Sequence, residues 1–128
     1  MRRIMLSSGI VVIIVAVSLA ATALAQTTMS LPKLIGAVGK NNAFVITLKN
    51  SRGRLVKKLK AGRYTFVIHD YSAIHAFNLD GPHGFSHDFT KIPFIGMKTA
   101  TLNLKAGKYK AYCPNHEATM FQFFTVTK

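Results

Sequence analysis

The side chains best equipped for chemistry are concentrated in one stretch, Cys113-Pro114-Asn115-His116-Glu117-Ala118-Thr119-Met120. It holds the only cysteine of the chain. Within eight positions it offers a thiolate, an imidazole and a thioether. Sulfur and imidazole together form a soft-to-borderline donor set, which favours copper over hard cations such as magnesium or calcium. A site of this kind needs a second imidazole from elsewhere in the chain. It also needs a scaffold that holds the four groups rigidly, so that an ion can change oxidation state with little rearrangement.

Five histidines are available, including His116. His69 falls on the outward face of an alternating segment. His83 and His87 lie in or beside turns. Their spacing of four would pair them only on a helix, and the Gly81-Pro82-His83-Gly84 context opposes one, so they read as surface histidines. His75 has apolar neighbours on both sides, Ile74 before it and Ala76-Phe77 after it. Taken alone it would be an ordinary structural histidine. Beside the Cys113–Met120 loop it is the best fourth donor.

The elements that must position these groups are strands. Leu34 to Val38 is a first short strand, closed by the turn-forming cluster Gly39-Lys40-Asn41-Asn42. Ala43 to Lys49 alternates, with Phe44, Ile46 and Leu48 on one face, the period of a half-buried strand. Leu55 to Leu59 reads as an edge segment, with Lys57 and Lys58 discouraging further pairing. In Arg63 to Asp70, Tyr64, Phe66 and Ile68 share a face, and His75 to Leu79 resumes an extended pattern. Asp80 to Gly84 is a turn, and Phe85 to Gly96 a long loop with room for short strand pieces. Lys98 to Leu104, Lys108 to Cys113 and Phe121 to Thr127 alternate again; the last two bracket the donor loop and put Cys113 on an inward face. No segment beyond the first 25 residues carries a helical apolar stripe. Short strands with turns at this spacing predict an all-β sandwich with Greek-key connections.

An internal repeat supports that reading. Leu59-Lys60-Ala61-Gly62-Arg63-Tyr64 recurs as Leu104-Lys105-Ala106-Gly107-Lys108-Tyr109. A Tyr that opens a strand after such a turn can close a tyrosine corner, its hydroxyl bonding the backbone upstream. The alternative is a repeated hairpin turn with an ordinary core Tyr.

The start of the chain reads as a leader. Arg2 and Arg3 precede an apolar run, Ile10 to Leu19, and Ala23-Leu24-Ala25 supplies the small-x-small pattern of a cleavage site. Residues 1–25 are thus expected to be a signal peptide, residues 26–33 a flexible segment and residues 34–128 the folded domain, exported to the periplasm or outside the cell. The apolar run is short for a membrane span of about 20 residues, so no stable anchor is expected after cleavage. Removal of Arg2 and Arg3 lowers the formal charge from +13 to +11. A chain so basic attracts acidic partners, and export argues against nucleic acid. With one cysteine no internal disulfide can form, and a lone thiol in an oxidising compartment is open to oxidation unless it is buried or bound to metal.

The stretches Tyr64 to Asp70, Ile74 to Pro82 and Leu104 to Met120 together resemble a small single-domain cupredoxin of the bacterial plastocyanin- or azurin-like kind. The Cys-x2-His-x3-Met loop with an upstream His-x-Phe carries the resemblance, which covers most of the chain after the leader. It implies a cupredoxin-like Greek-key sandwich and one copper ion, Cu(I)/Cu(II), held by His75, Cys113, His116 and Met120. It further implies a blue copper protein, not an enzyme, that shuttles single electrons between redox proteins and works as a monomer. Acidic docking surfaces on those partners would match the basic charge. Pro114, Phe77 and Pro82 are the expected apolar rim around His116. Two positions depart from the family pattern. Ala76 stands where members usually have an Asn that ties the ligand loops together. Phe121 and Phe123 stand where small or polar residues are common, and the segment near Leu31 to Leu34 is expected to cover them. A copper carrier without an electron-transfer role is the main alternative. A copper enzyme would need a further catalytic copper, and a metal-free interaction domain would not be expected to keep all four donors.

Overall fold

The computed structural model describes Ala25 and residues 27–128. The predicted leader, apart from Ala25, lies outside the described residues. Nine strands follow in order: β1 (Lys33–Val38), β2 (Ile46–Asn50), β3 (Lys58–Lys60), β4 (Gly62–Asp70), β5 (Asn78–Asp80), β6 (Ser86–Asp88), β7 (Gly96–Leu104), β8 (Gly107–Tyr112) and β9 (Phe121–Thr127). Three 3-10 turns, Lys40–Asn42, Pro82–Gly84 and Pro114–His116, lie between them. One sheet has the order β2-β1-β4-β7 and the other β3-β9-β8-β5-β6. The chain passes repeatedly from one sheet to the other, as a Greek-key sandwich requires. Both sheets are mixed: β1 runs parallel to β4, and β3 parallel to β9.

The alternation read from the sequence is the alternation of burial. Tyr64, Phe66 and Ile68 face inward along β4, Tyr109 and Ala111 along β8, and Phe124 and Val126 along β9. They meet Leu34, Val38, Ile46, Leu48, Leu79 and Leu104 in one core fed by both sheets. Burial of such side chains is the main force closing the sandwich.

Two details correct the sequence reading. The strand expected over Ala43–Lys49 begins only at Ile46. Val38 pairs with Ile46 across the β1–β2 hairpin, and Gly39 N–H donates to the Val45 carbonyl at 3.1 Å, so Ala43–Val45 belongs to the connection. The extended segment expected from His75 begins only at Asn78. His75 sits in the loop before β5, its N–H bonded to the Ser72 carbonyl at 3.2 Å.

Both tyrosine corners form. Tyr64 Oη donates to the Lys60 carbonyl at 2.7 Å and Tyr109 Oη to the Lys105 carbonyl at 2.9 Å. The sequence repeat is thus a structural repeat, one copy in each sheet. A further tie crosses between the sheets: Gln122, on β9, accepts from Leu48 N–H at 2.8 Å and donates to the carbonyls of Leu48 and Val56 at 2.9 and 3.0 Å. One side chain thereby bonds three backbone groups at the side of the sandwich, where the Leu55–Val56 segment meets β2 through the Lys49–Leu55 bridge and a Val56 N–H bond to the Leu48 carbonyl at 3.0 Å.

Candidate metal centre

The expected donors gather at one end of the sandwich. Cys113 follows the last residue of β8, His116 closes the 3-10 turn Pro114–His116, and Met120 precedes β9. The loop is laced by its own backbone. Cys113 N–H donates to the Met120 carbonyl at 3.0 Å, His116 N–H to the Cys113 carbonyl at 3.1 Å, and Met120 N–H to the His116 carbonyl at 2.8 Å. The β8–β9 pairing therefore continues to the two sulfur-bearing residues, and the short loop between them is rigid.

His75 arrives from the opposite side. Its Nδ1 lies 3.1 Å from Nδ1 of His116 and 3.9 Å from Cys113 Sγ, and His116 Nδ1 lies 3.7 Å from the same sulfur. The point equidistant from the corners of such a triangle is about 2.1 Å from each, against typical metal–nitrogen bonds of about 2.0–2.1 Å and metal–sulfur bonds of about 2.3 Å. The spacing therefore fits a metal ion bound by all three. Among the described residues this is the one group of three His, Cys, Asp or Glu side chains whose donor atoms converge. Met120 is fully buried, and the hydrogen bonds of its backbone to Cys113 and His116 place it beside the other donors.

The surroundings suit the group. Cys113 and His75 are shielded from solvent, and His116 is half-buried. Burial pushes the His75 imidazole below its ordinary pKa; the neighbouring His116 adds to this, while the nearby Asn42 backbone and Asp70 act the other way. His75 is thus held in the neutral form that binds metal. Its Nδ1 is the nitrogen that faces the cluster, and its Nε2 is buried without a hydrogen-bond partner. Ala76 N–H points at Cys113 Sγ from 3.4 Å, a backbone tie between the ligand loops that needs no side chain at position 76. Phe77 N–H donates to Thr90 Oγ1 at 2.9 Å, and Ser72 Oγ to Asn42 Oδ1 at 2.9 Å. These bonds anchor the His75 loop to its neighbours on both sides, the kind of support that orients metal ligands.

The expected rim needs correction. Phe77 is buried in the core, because its place two residues after His75 turns it under the site. Pro82 packs near Gly107, at the opposite end of β8 from Cys113; a six-residue strand separates the two. Pro114 is exposed on the donor loop as expected. The residue missed is Phe44. Its ring stands edge-on to both imidazoles, with centroids 4.9 Å from His75 and 4.7 Å from His116, and is 54% exposed. Its period-two match to Ile46 and Leu48 made it look like part of a strand. The Gly39–Asn42 turn cluster was the sequence signal for a loop just before it. His83 is exposed on its turn and His87 sits edge-on to Phe89, centroids 4.5 Å apart; neither joins the cluster.

No protein-family model and no curated protein sequence matches the chain. Solved structures do. The copper protein rusticyanin aligns at a TM-score of 0.53 and 16% identity, over 74% of this chain and 76% of that one. Reduced rusticyanin aligns at 0.53 and 19% identity, over 74% and 78%. The chain has the cupredoxin fold. Within the cupredoxin sandwich, the His75–Cys113–His116 triangle and the buried Met120 stand together at one end, on the loops after β4 and β8.

Proposed function

We propose that the protein is a type 1 copper protein that passes single electrons between redox proteins. The observation that carries this is the convergence of two imidazole nitrogens and one thiolate at metal-binding spacing, beside a buried methionine. His75 and His116 would hold copper through Nδ1, Cys113 through its thiolate and Met120 through its thioether. Bound copper supplies the chemistry by taking up and releasing one electron as it moves between Cu(II) and Cu(I). The chain holds the donors in one arrangement for both states. Backbone bonds fix Cys113 against Met120, Ala76 N–H steadies the thiolate charge, and Phe44 keeps water from the imidazole pair.

Arg2, Arg3, the apolar run and Ala23-Leu24-Ala25 favour export to the periplasm or beyond. Among the described residues no helix is long and apolar enough to cross a membrane. The basic surface favours acidic redox partners.

Electron transfer separates from copper carriage in one experiment. The copper-loaded protein is reduced and reoxidised by voltammetry in the presence of a Cu(I) chelator. Reversible one-electron cycling with copper retained is expected. Rapid loss of Cu(I) to the chelator would replace the electron-transfer role with a carrier role.

A further inference from the structure

Phe121 and Phe123 are not covered by the N-terminal segment, as the sequence reading expected; they stand 44% and 46% exposed on the outer face of the β3-β9-β8-β5-β6 sheet. Their rings meet edge to face at 5.4 Å. Cross-strand register sets Tyr112 opposite Phe121 and Lys110 opposite Phe123. Lys108 Nζ lies over the Phe123 ring at 4.4 Å, and Lys110 Nζ within 5.4–5.7 Å of the Tyr112, Phe121 and Phe123 rings. Lys58 flanks the patch through its pairing with Thr125.

Three features distinguish this face from a solvated strand surface. The outward positions of β9 read Phe121, Phe123, Thr125, Thr127, so the aromatic residues are confined to the half nearest the metal centre. Tyr112 directly precedes Cys113 and Phe121 directly follows Met120, which makes the patch continuous with two of the proposed ligands. Its cations are also pre-arranged: Glu117 pins Lys110 at 2.8 Å, and the Phe123 ring holds Lys108. Three carboxylates share this side of the sheet: Glu117, which pairs with Lys110; Asp80, opposite Lys110 and beside Tyr112; and Asp88, on the far side of Asn78 from Tyr112, so the free positive charge of the patch is that of Lys58 and Lys108, at its β3 and β9 side. Lys58 and Lys108 have no carboxylate partner among the described residues. Exposed aromatic rings set among fixed cations match a protein surface that offers carboxylates with apolar or aromatic side chains between them.

We infer that the Tyr112–Phe121–Phe123 face, with Lys58, Lys108 and Lys110, docks an acidic protein partner. It is a surface distinct from the imidazole end of the molecule. The inference goes beyond the copper assignment and stands whether or not the centre takes copper.

Amide shift mapping of the purified protein tests it, metal-free and with Cu(I). Three probes are compared: a random copolymer of glutamate and tyrosine, poly-L-glutamate, and vesicles of phosphatidylglycerol and phosphatidylcholine. The copolymer is expected to shift Lys108–Tyr112 and Phe121–Thr125 and to bind more tightly than poly-L-glutamate. Its binding should weaken with salt and fall about tenfold in the Phe121→Ser/Phe123→Ser double variant. Lys108→Glu, a change at an exposed lysine, should weaken it as well and carries the test if the double variant fails to fold. Shifts scattered over lysines elsewhere, equal affinity for both polymers, or insensitivity to Lys108→Glu would show attraction by net charge alone and overturn the proposal. Vesicle binding through this face, tighter than that of the copolymer, would overturn it in favour of a membrane.

Discussion

Gly39 links the backbone to the metal centre, and replacing it by alanine puts that link to a quantitative test. The residue adopts φ +68°, in the left-handed region, as it opens the turn after β1. A Cβ there would lie 2.6 Å from Ser72 Cβ and 2.8 Å from His75 Cδ2. A left-handed backbone costs a residue with a Cβ about 1–2 kcal/mol. Forcing a methyl group into packed surroundings costs about 1–3 kcal/mol. A less flexible unfolded chain returns about 0.4–1 kcal/mol. Gly39→Ala is therefore expected to lose about 3 kcal/mol, a large share of the roughly 5–15 kcal/mol that holds a small domain together. Urea unfolding of the metal-free protein reads that loss. The same variant pushes on the His75 ring, so a Cu(II) titration should show weaker binding even where the protein is fully folded. Unchanged stability together with unchanged copper affinity would refute both the strain at Gly39 and its packing against His75.

Four further substitutions follow from the structure. Tyr64→Phe and Tyr109→Phe each remove one hydroxyl bond to a backbone carbonyl, and each should cost about 1 kcal/mol in denaturant unfolding. Gln122→Ala strips the partners of Leu48 N–H and the Val56 carbonyl, while the Leu48 carbonyl keeps Val56 N–H at 3.0 Å, and should cost about 2 kcal/mol, with faster amide exchange at Leu48 as its local signature. Phe44→Ala uncovers both imidazoles while leaving the donors in place; the thiolate absorption band should form, and copper should pass to a competing chelator several-fold faster than from the parent protein.

Much of this was legible in the sequence because the physics involved is local. Alternation in Arg63–Asp70, Lys108–Cys113 and Phe121–Thr127 reports a period of two that burial enforces strand by strand. The repeated Leu-Lys-Ala-Gly-basic-Tyr segment carried both tyrosine corners, since each needs only a carbonyl four residues upstream. The Cys113–Met120 spacing placed three donors in one loop, and apolar neighbours singled out His75. What escaped depends on contacts between distant segments. Phe44 fits a strand pattern, and only the pairing of Val38 with Ile46 reveals that it lies on the connecting loop. Phe77 and Pro82 are apolar residues near a donor in sequence, yet the path of the chain buries one in the core and carries the other to the far end of β8. Gln122 reads as a polar residue on an aromatic strand until Leu48 and Val56 stand beside it. The exposure of Phe121 and Phe123 depended on whether the N-terminal segment crosses that face, which alternation within β9 does not encode. Ala76 looked like a lost tie between the ligand loops; its backbone N–H makes a tie that no side-chain pattern could report.

The central claim is that His75, Cys113 and His116 form one metal site through the Cys113 thiolate. The most direct measurement is the visible spectrum of the purified protein as one equivalent of Cu(II) is added, compared with Cys113→Ser. The parent protein should develop an intense thiolate-to-copper charge-transfer band that saturates at one copper per chain, and Cys113→Ser should show none. A colourless parent protein whose weak copper binding is the same in Cys113→Ser would contradict the account.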